Sequence, residues 1–422
     1  MGLQTENTET NRRGKKVLIE TWGCQMNTAD SEKMLAMLKK ENYQSTTDVK
    51  KSDLVILNTC HIRENARHKV VSRLGRLREL KKENPNLKIA VTGCVAQAEG
   101  KKLLKEVPTI DFLVGPGKVE DLGSLLKEHD KEGNEAKQKI SIGFRKPEEV
   151  RKLSIENKDV TPTQVSNGKN EVSRFVNIQQ GCNNFCTFCV VPFTRGREVS
   201  ETPERIIENI YQMIDAGAKE ITLLGQNVNS YGLDLVENKS LEVSQSGPFY
   251  DILKEVSMIK EVERVRFTTS NPHDFTKPIA ELFREQPKLG RYIHLPVQSG
   301  SDKILKAMKR KVTVEEYWER VGWLRSVVPD MAISTDIIVG FPGETEEDFQ
   351  ATYDLVQELR YSFIFAFKYS QRKGTAAPRF KDQISEKIKS ERLSRLNDLQ
   401  DQITTDLNIE EIGKTREVLF LY

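Results

Sequence analysis

The sequence predicts an α/β protein in which an open parallel sheet with covering helices is followed by a partial barrel of six β–α repeats. Two observations lead to this prediction. Short apolar runs alternate with stretches of helical period from Lys16 to Glu128, and a second alternation begins at Arg174. Such alternation is typical of parallel sheets covered by helices. The intervening residues 130–172 are rich in Lys, Glu, Asn, Ser and Thr without a clear period, which indicates a linker.

The bulk composition excludes some classes of protein. The chain has 422 residues, of which 65 are basic and 62 acidic, so its net charge is +3. This small charge does not indicate a strongly basic nucleic-acid binder, and it does not exclude binding to RNA. No apolar run approaches the roughly 18 residues of a membrane span, and the polar start of the chain lacks a secretory pattern. We therefore expect a cytoplasmic protein without membrane contact, whose six cysteines are ligands or catalysts rather than disulfides.

Three cysteines follow strands of the first array. We predict strands at 17–20, 53–57, 88–91 and 111–114, and helices at 29–40, 62–82, 96–105 and 119–128. Cys24, Cys60 and Cys94 each follow one of these strands. Because open parallel sheets bind ligands at the carboxyl ends of their strands, we expect the three to meet in one crevice. The competing interpretation is three cysteines buried as small apolar side chains, but their equivalent positions favour a shared site.

The second array places polar residues at strand ends. We predict strands at 174–179, 220–224, 262–268, 291–295, 332–339 and 363–369, with helices that include 203–216, 302–309 and 346–359. Parallel barrels carry their functional groups on loops at the carboxyl ends of strands. The candidates at these ends are Gln226, Asn227, Gln298, Ser299, Asp336 and Glu344. Ordinary loop hydrogen bonding and helix capping are the alternative explanation.

A tight cysteine loop follows the first strand of the second array. Cys182, Cys186 and Cys189 are separated by three and two residues, and thiolates are the natural ligands of iron–sulfur clusters. Three cysteines leave one iron of a four-iron cluster without a protein ligand, and an open position is what a metal site needs to bind a substrate. Structural zinc is the alternative, but it usually takes four ligands, and the loop contains no histidine.

Resemblance to a known family is carried by the segment GCNNFCTFCVVPFTRGRE, which is similar to the cluster loop of the radical S-adenosylmethionine superfamily. The segments ETWGCQMNTADSE, ILNTCHIRENA and AVTGCVAQ resemble the three cysteine segments of its methylthiotransferase branch, and the likeness extends from residue 16 to 422. Within that branch, CQMN at 24–27, SNPHDF at 270–275 and HLPVQSGS at 294–301 are most similar to members that act on isopentenylated adenosine in tRNA.

The resemblance implies a reaction and its cofactors. It implies S-adenosylmethionine and two 4Fe–4S clusters as cofactors. The first cluster would be held by Cys182, Cys186 and Cys189 and would yield a 5′-deoxyadenosyl radical. The second, auxiliary cluster would be held by Cys24, Cys60 and Cys94 and would deliver the methylthio group. The product would be 2-methylthio-N6-isopentenyladenosine (dimethylallyladenosine) next to the anticodon. The implied contacts to S-adenosylmethionine are Phe188, Gln226, Asn227, Gln298, Ser299, Asp336 and Glu344. Arg195 and Arg197 are expected to bind substrate, or alternatively to pair with Glu198 or Glu201.

The resemblance also implies partners and domains. We expect a monomer that binds tRNA and an electron donor such as flavodoxin or ferredoxin. The predicted segments are a disordered tail at 1–15, an N-terminal methylthiotransferase domain at 16–129, a linker at 130–172, a barrel at 173–383, a helix at 384–411 and, at 412–422, the first strand of a truncated tRNA-binding β domain.

Some alternatives stay open at this point. Sister enzymes act on threonylcarbamoyladenosine in tRNA or on an aspartate of a ribosomal protein. A protein of another class, a non-enzymatic iron–sulfur or zinc regulator that binds RNA, is the remaining alternative, although the barrel loops and the cysteine spacing that leaves one iron open argue against it. The basic helix at 62–82 either lies along RNA phosphates or forms an ordinary solvated face.

Overall fold

A computed structural model describes residues 14–61, 64–133, 137–157 and 172–420, without the side chains of residues 64–66. The prediction of a disordered tail therefore lies almost wholly outside the described residues. Its last residue, Lys15, begins the first strand instead.

The N-terminal half is an open parallel sheet of six strands in the order β2-β1-β3-β4-β5-β6. The strands are β1 (Lys15–Trp22), β2 (Tyr43–Ser45), β3 (Leu54–Thr59), β4 (Lys88–Gly93), β5 (Phe112–Val114) and β6 (Lys139–Ser141). Every residue of the central strand β3 is buried, because helices cover both faces of the sheet. This confirms the α/β class with an open parallel sheet.

The covering helices are α1 (Gln25–Lys40), α2 (Glu64–Glu83), α3 (Cys94–Glu99), α4 (Lys101–Glu106), α5 (Leu122–Glu132) and α6 (Pro147–Glu156). On one face of the sheet, Leu74 and Leu77 pack against Val55 and Leu57. On the other face, residues of α1 such as Met34 pack against alternate residues of β3. The alternation of β3 side chains between two apolar layers explains its continuous hydrophobic run.

Two local predictions differ from the structure. The helix predicted at 96–105 is two helices, because Gly100 adopts a φ of +51° that breaks the helical path. The predicted linker contains β6, which pairs with β5, and the helix α6. A three-residue strand is too short to show a period in the sequence. The domain boundaries themselves stay a prediction.

The C-terminal half is a partial parallel barrel. Its strands are β7 (Ser173–Asn177), β10 (Glu220–Leu224), β11 (Arg264–Thr268), β12 (Tyr292–His294), β13 (Ala332–Val339) and β14 (Phe363–Lys368). They form two parallel groups, β7-β10-β11 and β12-β13-β14, which a parallel bridge between Val265 and Leu289 connects. A short antiparallel pair, β8 (Gln179–Gln180) and β9 (Val199–Ser200), brackets the cysteine loop.

Helices follow the barrel strands: α7 (Val191–Thr194), α8 (Pro203–Asp215), α9 (Leu233–Glu237), α10 (Pro248–Met258), α11 (Lys277–Glu285), α12 (Asp302–Ala307), α13 (Val314–Val327) and α14 (Glu346–Leu359). Reciprocal capping bonds between Thr345 and Asp348 fix the start of α14 at the predicted residue. One large apolar cluster between these helices and the strands forms the barrel core.

The last helix, α15 (Glu386–Glu410), packs against β14 and α14 through buried Leu396, Leu399 and Ile403. The strand predicted beyond it is not formed. Residues 414–420 are in neither helix nor strand, and Val418 and Phe420 are exposed. No partner strand pairs with them in the part of the chain that the structure describes. None of the described helices is long and apolar enough to cross a membrane.

We expect Gly93→Ala to destabilise the N-terminal sheet. Gly93 has a φ of +85°, and an added Cβ would lie 2.4 Å from the Thr59 carbonyl oxygen. Strain of this kind costs about 1–3 kcal/mol, which a lower midpoint of urea unfolding would report. Gly75→Ala in α2 is the matched control, since nothing lies within 4 Å of its Cβ and alanine favours the helix by about 0.5–1 kcal/mol. Equal midpoints for the two variants would contradict this account.

Candidate active site

All six cysteines line one cavity of about 1050 Å³. The cavity lies at the carboxyl ends of both strand arrays, because Cys24, Cys60 and Cys94 follow β1, β3 and β4, while the loop 182–189 follows β7 and β8. The edge of the open sheet and the mouth of the barrel thus face each other across one space. The strand-end positions of the cysteines account for this placement.

The N-terminal cysteines are held by tight turns. Cys24 precedes the first residue of α1, and Cys94 is the first residue of α3. Cys60 and Cys94 are buried, whereas Cys24 is exposed. Gly93 permits the turn from β4 into α3, because its positive φ and its closeness to the Thr59 carbonyl leave no room for a side chain.

A buried asparagine pair supports this turn region. Asn27 Nδ2 donates to Asn58 Oδ1 at 3.0 Å, and Asn58 Nδ2 donates to the Asn27 carbonyl and to Ser31 Oγ at 2.8 Å each. The Cys24 thiol donates to Asn27 Oδ1 at 3.4 Å. A connected network of this kind fixes the positions of its members. Sequence reasoning missed both asparagines, although each stands within three residues of a predicted cysteine ligand.

The C-terminal cysteine loop depends on Gly181. Its φ is +82°, and a Cβ there would lie 2.0 Å from the Arg197 carbonyl oxygen. The backbone N–H of Gly181 donates to Gln226 Oε1, and that of Cys182 donates to the Gly196 carbonyl at 3.1 Å. These contacts close the loop against the segment that follows it.

Each sulfur of this loop accepts one N–H hydrogen bond. Asn184 Nδ2 donates to Cys182 Sγ at 3.6 Å, Arg310 Nη1 to Cys186 Sγ at 3.8 Å, and the Val191 amide to Cys189 Sγ at 3.4 Å. Such donors stabilise negative charge on sulfur and tune iron–sulfur centres. The loop therefore fits three thiolate ligands. Arg310 was not a candidate from the sequence, because it lies 124 positions from Cys186.

Burial favours the protonated form of Cys94, Cys182 and Cys189. It raises the pKa of Cys182 to about 11 and that of Cys189 to about 12. Burial also raises the pKa of Cys94, although the nearby Arg195 cation opposes this rise. Metal binding to these thiols would therefore release protons at neutral pH. The described residues contain no group of three His, Cys, Asp or Glu side chains already arranged around a metal position.

Five of the predicted cofactor contacts line the cavity: Phe188, Gln226, Asn227, Gln298 and Asp336. Asn227 Nδ2 donates to Asp274 Oδ2 at 2.7 Å. The backbone of Gln298, whose φ is +81°, bridges to β13 through its N–H and carbonyl. His294 Nε2 lies 3.6 Å from Asp336 Oδ1, and its Nδ1 lies 2.8 Å from Ser334 Oγ.

Two predicted contacts lie elsewhere. Ser299 is buried with its Oγ 3.3 Å from Thr352 Oγ1. Glu344 accepts from the Gly340 amide at 2.9 Å and from Arg392 Nη1 at 2.7 Å. Neither lines the cavity, so the structure gives both the loop and helix contacts that were the alternative explanation. A position at a strand end does not fix the direction in which a side chain points.

Several residues of the cavity wall keep unused hydrogen-bonding capacity. Their buried side-chain atoms without a partner in the described chain are Gln226 Nε2, Asn227 Oδ1, Ser270 Oγ, Arg310 Nε and Tyr369 Oη. An unsatisfied buried polar group costs about 1–3 kcal/mol. Native proteins retain few such groups, so these atoms call for a partner such as a bound ligand, ion or water.

Arg195 lies on the cavity wall but is already paired. Its Nη2 lies 2.8 Å from Asp30 Oδ2, and the two side chains are 3% and 11% exposed. Burial opposes its charge, but Asp30, Cys94 and Cys24 outweigh burial and raise the pKa of Arg195. The expected alternative partners were Glu198 and Glu201, and neither is the partner found. The pair joins α1 of the open sheet to the segment after the cysteine loop.

Arg197 lies outside the cavity wall. It is exposed, and its guanidinium is 5.2 Å from the centre of the Phe185 ring. Its role in substrate binding stays a prediction. The cationic side chains that do line the cavity are Arg195, Arg310, Lys368, Arg372 and Lys389.

We expect Asp30→Ala to be strongly destabilising, because it leaves the buried Arg195 cation without its partner. Removing one member of a buried ion pair costs about 3–5 kcal/mol, which would lower the thermal unfolding midpoint. Glu79→Ala is the control: Glu79 pairs with Arg78 and Lys82 on the surface, and exposed pairs contribute little. An Asp30→Ala midpoint as high as that of the control would show that the pair does not hold the two arrays together.

Comparison with known proteins agrees with this site. Residues 16–115 match the family described as "Uncharacterized protein family UPF0004", and residues 176–356 match the Radical SAM superfamily. The two matched regions contain the two sets of three cysteines. The superfamily implies S-adenosylmethionine and a 4Fe–4S cluster.

Two solved structures share the fold. A radical S-adenosylmethionine methyltransferase, TsrM, from Kitasatospora setae has a TM-score of 0.56 and 12% identity, over 83% of this chain and 72% of that one. The cobalamin-dependent S-adenosylmethionine radical enzyme OxsB has a TM-score of 0.55 and 14% identity, over 93% of this chain and 56% of that one. At these identities the likeness concerns the fold alone.

Curated relatives match almost the whole chain. A tRNA-2-methylthio-N(6)-dimethylallyladenosine synthase of Clostridium botulinum is 46% identical over 95% of this chain and 85% of its own length. Those of Geotalea uraniireducens and Thermodesulfovibrio yellowstonii are 45% and 43% identical, each over 96% of this chain and 88% of their own length. At this identity and coverage, the chain belongs to the family of tRNA-2-methylthio-N(6)-dimethylallyladenosine synthases.

Proposed function

We propose that this protein replaces the C2 hydrogen of N6-dimethylallyladenosine, next to the anticodon of tRNA, with a methylthio group. One observation carries the proposal: two sets of three cysteines from separate strand arrays line the same cavity. The reaction needs both removal of an unreactive hydrogen and delivery of sulfur at one carbon atom. A single space bordered by both sets suits that requirement. The names of the curated relatives support the substrate.

We propose that Cys182, Cys186 and Cys189 hold the 4Fe–4S cluster beside which S-adenosylmethionine binds, and that Cys24, Cys60 and Cys94 hold a second one. When bound, these cofactors supply one-electron cleavage of S-adenosylmethionine and delivery of sulfur, chemistry that no side chain of the protein provides. The three N–H donors to the sulfurs of the loop 182–189 support the first assignment.

The wall residues are proposed to bind and orient S-adenosylmethionine. Gln226 and Asn227 offer an unused amide donor and an unused amide acceptor. Asp336 offers a carboxylate that His294 borders at 3.6 Å. Phe188 lies directly before Cys189 in the cysteine loop and adds an apolar surface to the cavity wall. These groups match the charged amino-acid part and the adenine of the ligand.

The cavity has the volume of a large ligand site. Single ligand pockets span about 300–1,000 Å³, and this cavity is about 1050 Å³. Met26, Ile338 and Phe367 give it apolar wall, which suits a dimethylallyl group. Lys368 and Arg372 lie on the same wall and suit the phosphates of a nucleotide.

The protein partners are part of the proposal. The substrate tRNA is one, and a one-electron donor such as flavodoxin or ferredoxin is the other. The protein is proposed to act in the cytoplasm as a monomer.

The cysteine assignment predicts two separable defects. Replacing Cys182, Cys186 and Cys189 by alanine should abolish the release of 5′-deoxyadenosine from S-adenosylmethionine. Replacing Cys24, Cys60 and Cys94 should preserve that release but abolish methylthio transfer. After anaerobic reconstitution we expect about eight irons in the wild type and about four in each triple variant, since each cubane holds four. One bound zinc and no cleavage of S-adenosylmethionine would exclude the enzyme and favour a regulator.

The substrate assignment predicts a specific change in tRNA. In cells that lack the protein, mass spectrometry of tRNA nucleosides should show loss of the 2-methylthio group with retention of N6-dimethylallyladenosine. Loss of methylthio from threonylcarbamoyladenosine would assign the chain to that sister activity instead. An unchanged nucleoside profile would direct attention to the ribosomal-protein aspartate.

A further inference from the structure

A second concave site lies outside the cysteine cavity. It is a groove of about 680 Å³ between the end of β1 and one face of α2. We call it the α2 groove, and its lining residues are Glu20, Trp22, His68, Lys69, Ser72, Arg73 and Arg76. The α2 residues recur at helical spacing, so they form one stripe along the helix.

The stripe carries positive charge that the protein leaves unpaired. Arg73 is neutralised by Glu20, whose two carboxylate oxygens each lie 3.0 Å from Arg73 Nε. Lys69 and Arg76 form no ion pair with any acidic side chain that the structure describes. Both are exposed. The groove therefore carries two uncompensated cations.

The other cations of α2 differ in this respect. Arg67 pairs with Glu106, Lys81 with Asp111, and Arg78 and Lys82 both pair with Glu79. Arg78 and Lys82 share one carboxylate, so one positive charge stays uncompensated on that exposed face. Lys69 and Arg76 differ in that neither has any carboxylate partner among the described residues.

The position of the groove connects it to the cavity. Trp22 ends β1 and lines the groove, while Cys24, two residues later, lines the cavity. Two residues span at most about 8 Å. Lys69 and Arg76 lie seven positions apart on α2, which places them on the order of 10 Å apart along the helix axis. The groove thus extends away from the cavity with a cation near each end.

We propose that the α2 groove binds the phosphate backbone of the substrate tRNA beside the nucleotide that enters the cavity. Lys69 and Arg76 contact phosphates, and Trp22, which is partly buried against the apolar cluster of the sheet, lines the same groove. Phosphate contacts position a nucleic acid without reading its sequence, which is the task of a surface next to a reactive site. The inference rests on the proposed function, because it requires an RNA substrate.

The test compares two double variants of the same helix. Lys69→Ala with Arg76→Ala removes the groove cations. Arg78→Ala with Lys82→Ala removes the same charge from exposed residues, whose side chains are 60% and 67% exposed. Binding of an anticodon stem-loop RNA that carries N6-dimethylallyladenosine is measured by fluorescence anisotropy over a series of salt concentrations.

We expect the groove variant to bind more weakly at low salt. Its plot of log affinity against log salt should be shallower than that of the wild type by about 2, or about 1 for each lost phosphate contact. The control variant should keep the wild-type slope. Release of 5′-deoxyadenosine without RNA should be unchanged in both variants, since neither pair lines the cavity.

Other outcomes overturn the inference in distinguishable ways. Equal slopes for the groove and control variants would show that the groove is a solvated face. The groove variant could instead bind RNA as the wild type does, while its turnover falls when flavodoxin supplies the electrons and not when a chemical reductant does. That result would assign the groove to an electron-donor protein. A wild-type protein that does not bind the RNA at all would contradict the proposed function itself.

Discussion

The site depends on one buried ion pair between the two halves of the protein. Asp30 belongs to the helix that follows Cys24, and Arg195 to the segment that follows Cys189. The two side chains lie 2.8 Å apart, and beside them Met26 and Ala29 of α1 pack against Leu224 and Phe175 of the barrel. Charge buried this deeply is stable only while it is paired. The buried ion pair and this apolar contact thus join the two halves beside the cavity.

Much of the fold follows from the sequence, for a physical reason. The strands at 220–224 and 332–339 coincide with the predicted ones, because short runs rich in apolar and β-branched residues are typical of strands. Short elements such as β6 carry too few residues to show a period. The convergence of Cys24, Cys60 and Cys94 was also predictable, since topology alone brings the carboxyl ends of parallel strands to one edge.

The contacts between the halves were not predictable in the same way. Arg195 and its partner Asp30 are 165 positions apart, and no local pattern in the sequence relates them. The contact between Arg310, on a separate barrel loop, and Cys186 was not predictable either, because no local pattern relates the two residues. Ser299 and Glu344 stand at the expected strand ends but point to Thr352 and Arg392. Topology predicts which loops meet, whereas packing decides which side chains of those loops face the cavity.

The long last helix has one end at the cavity and the other end far from it. Glu386, Lys389 and Leu393 near its start line the cavity, and it continues without a break to Glu410. At 1.5 Å per residue, its far end lies about 30 Å from Lys389. A surface ion pair joins Arg360 to Glu410 at that end. The exposed residues after it, Val418 and Phe420 among them, therefore follow a point about 30 Å from the part of the helix that lines the cavity. A molecule that contacted both the cavity and these residues would have to extend over at least that distance.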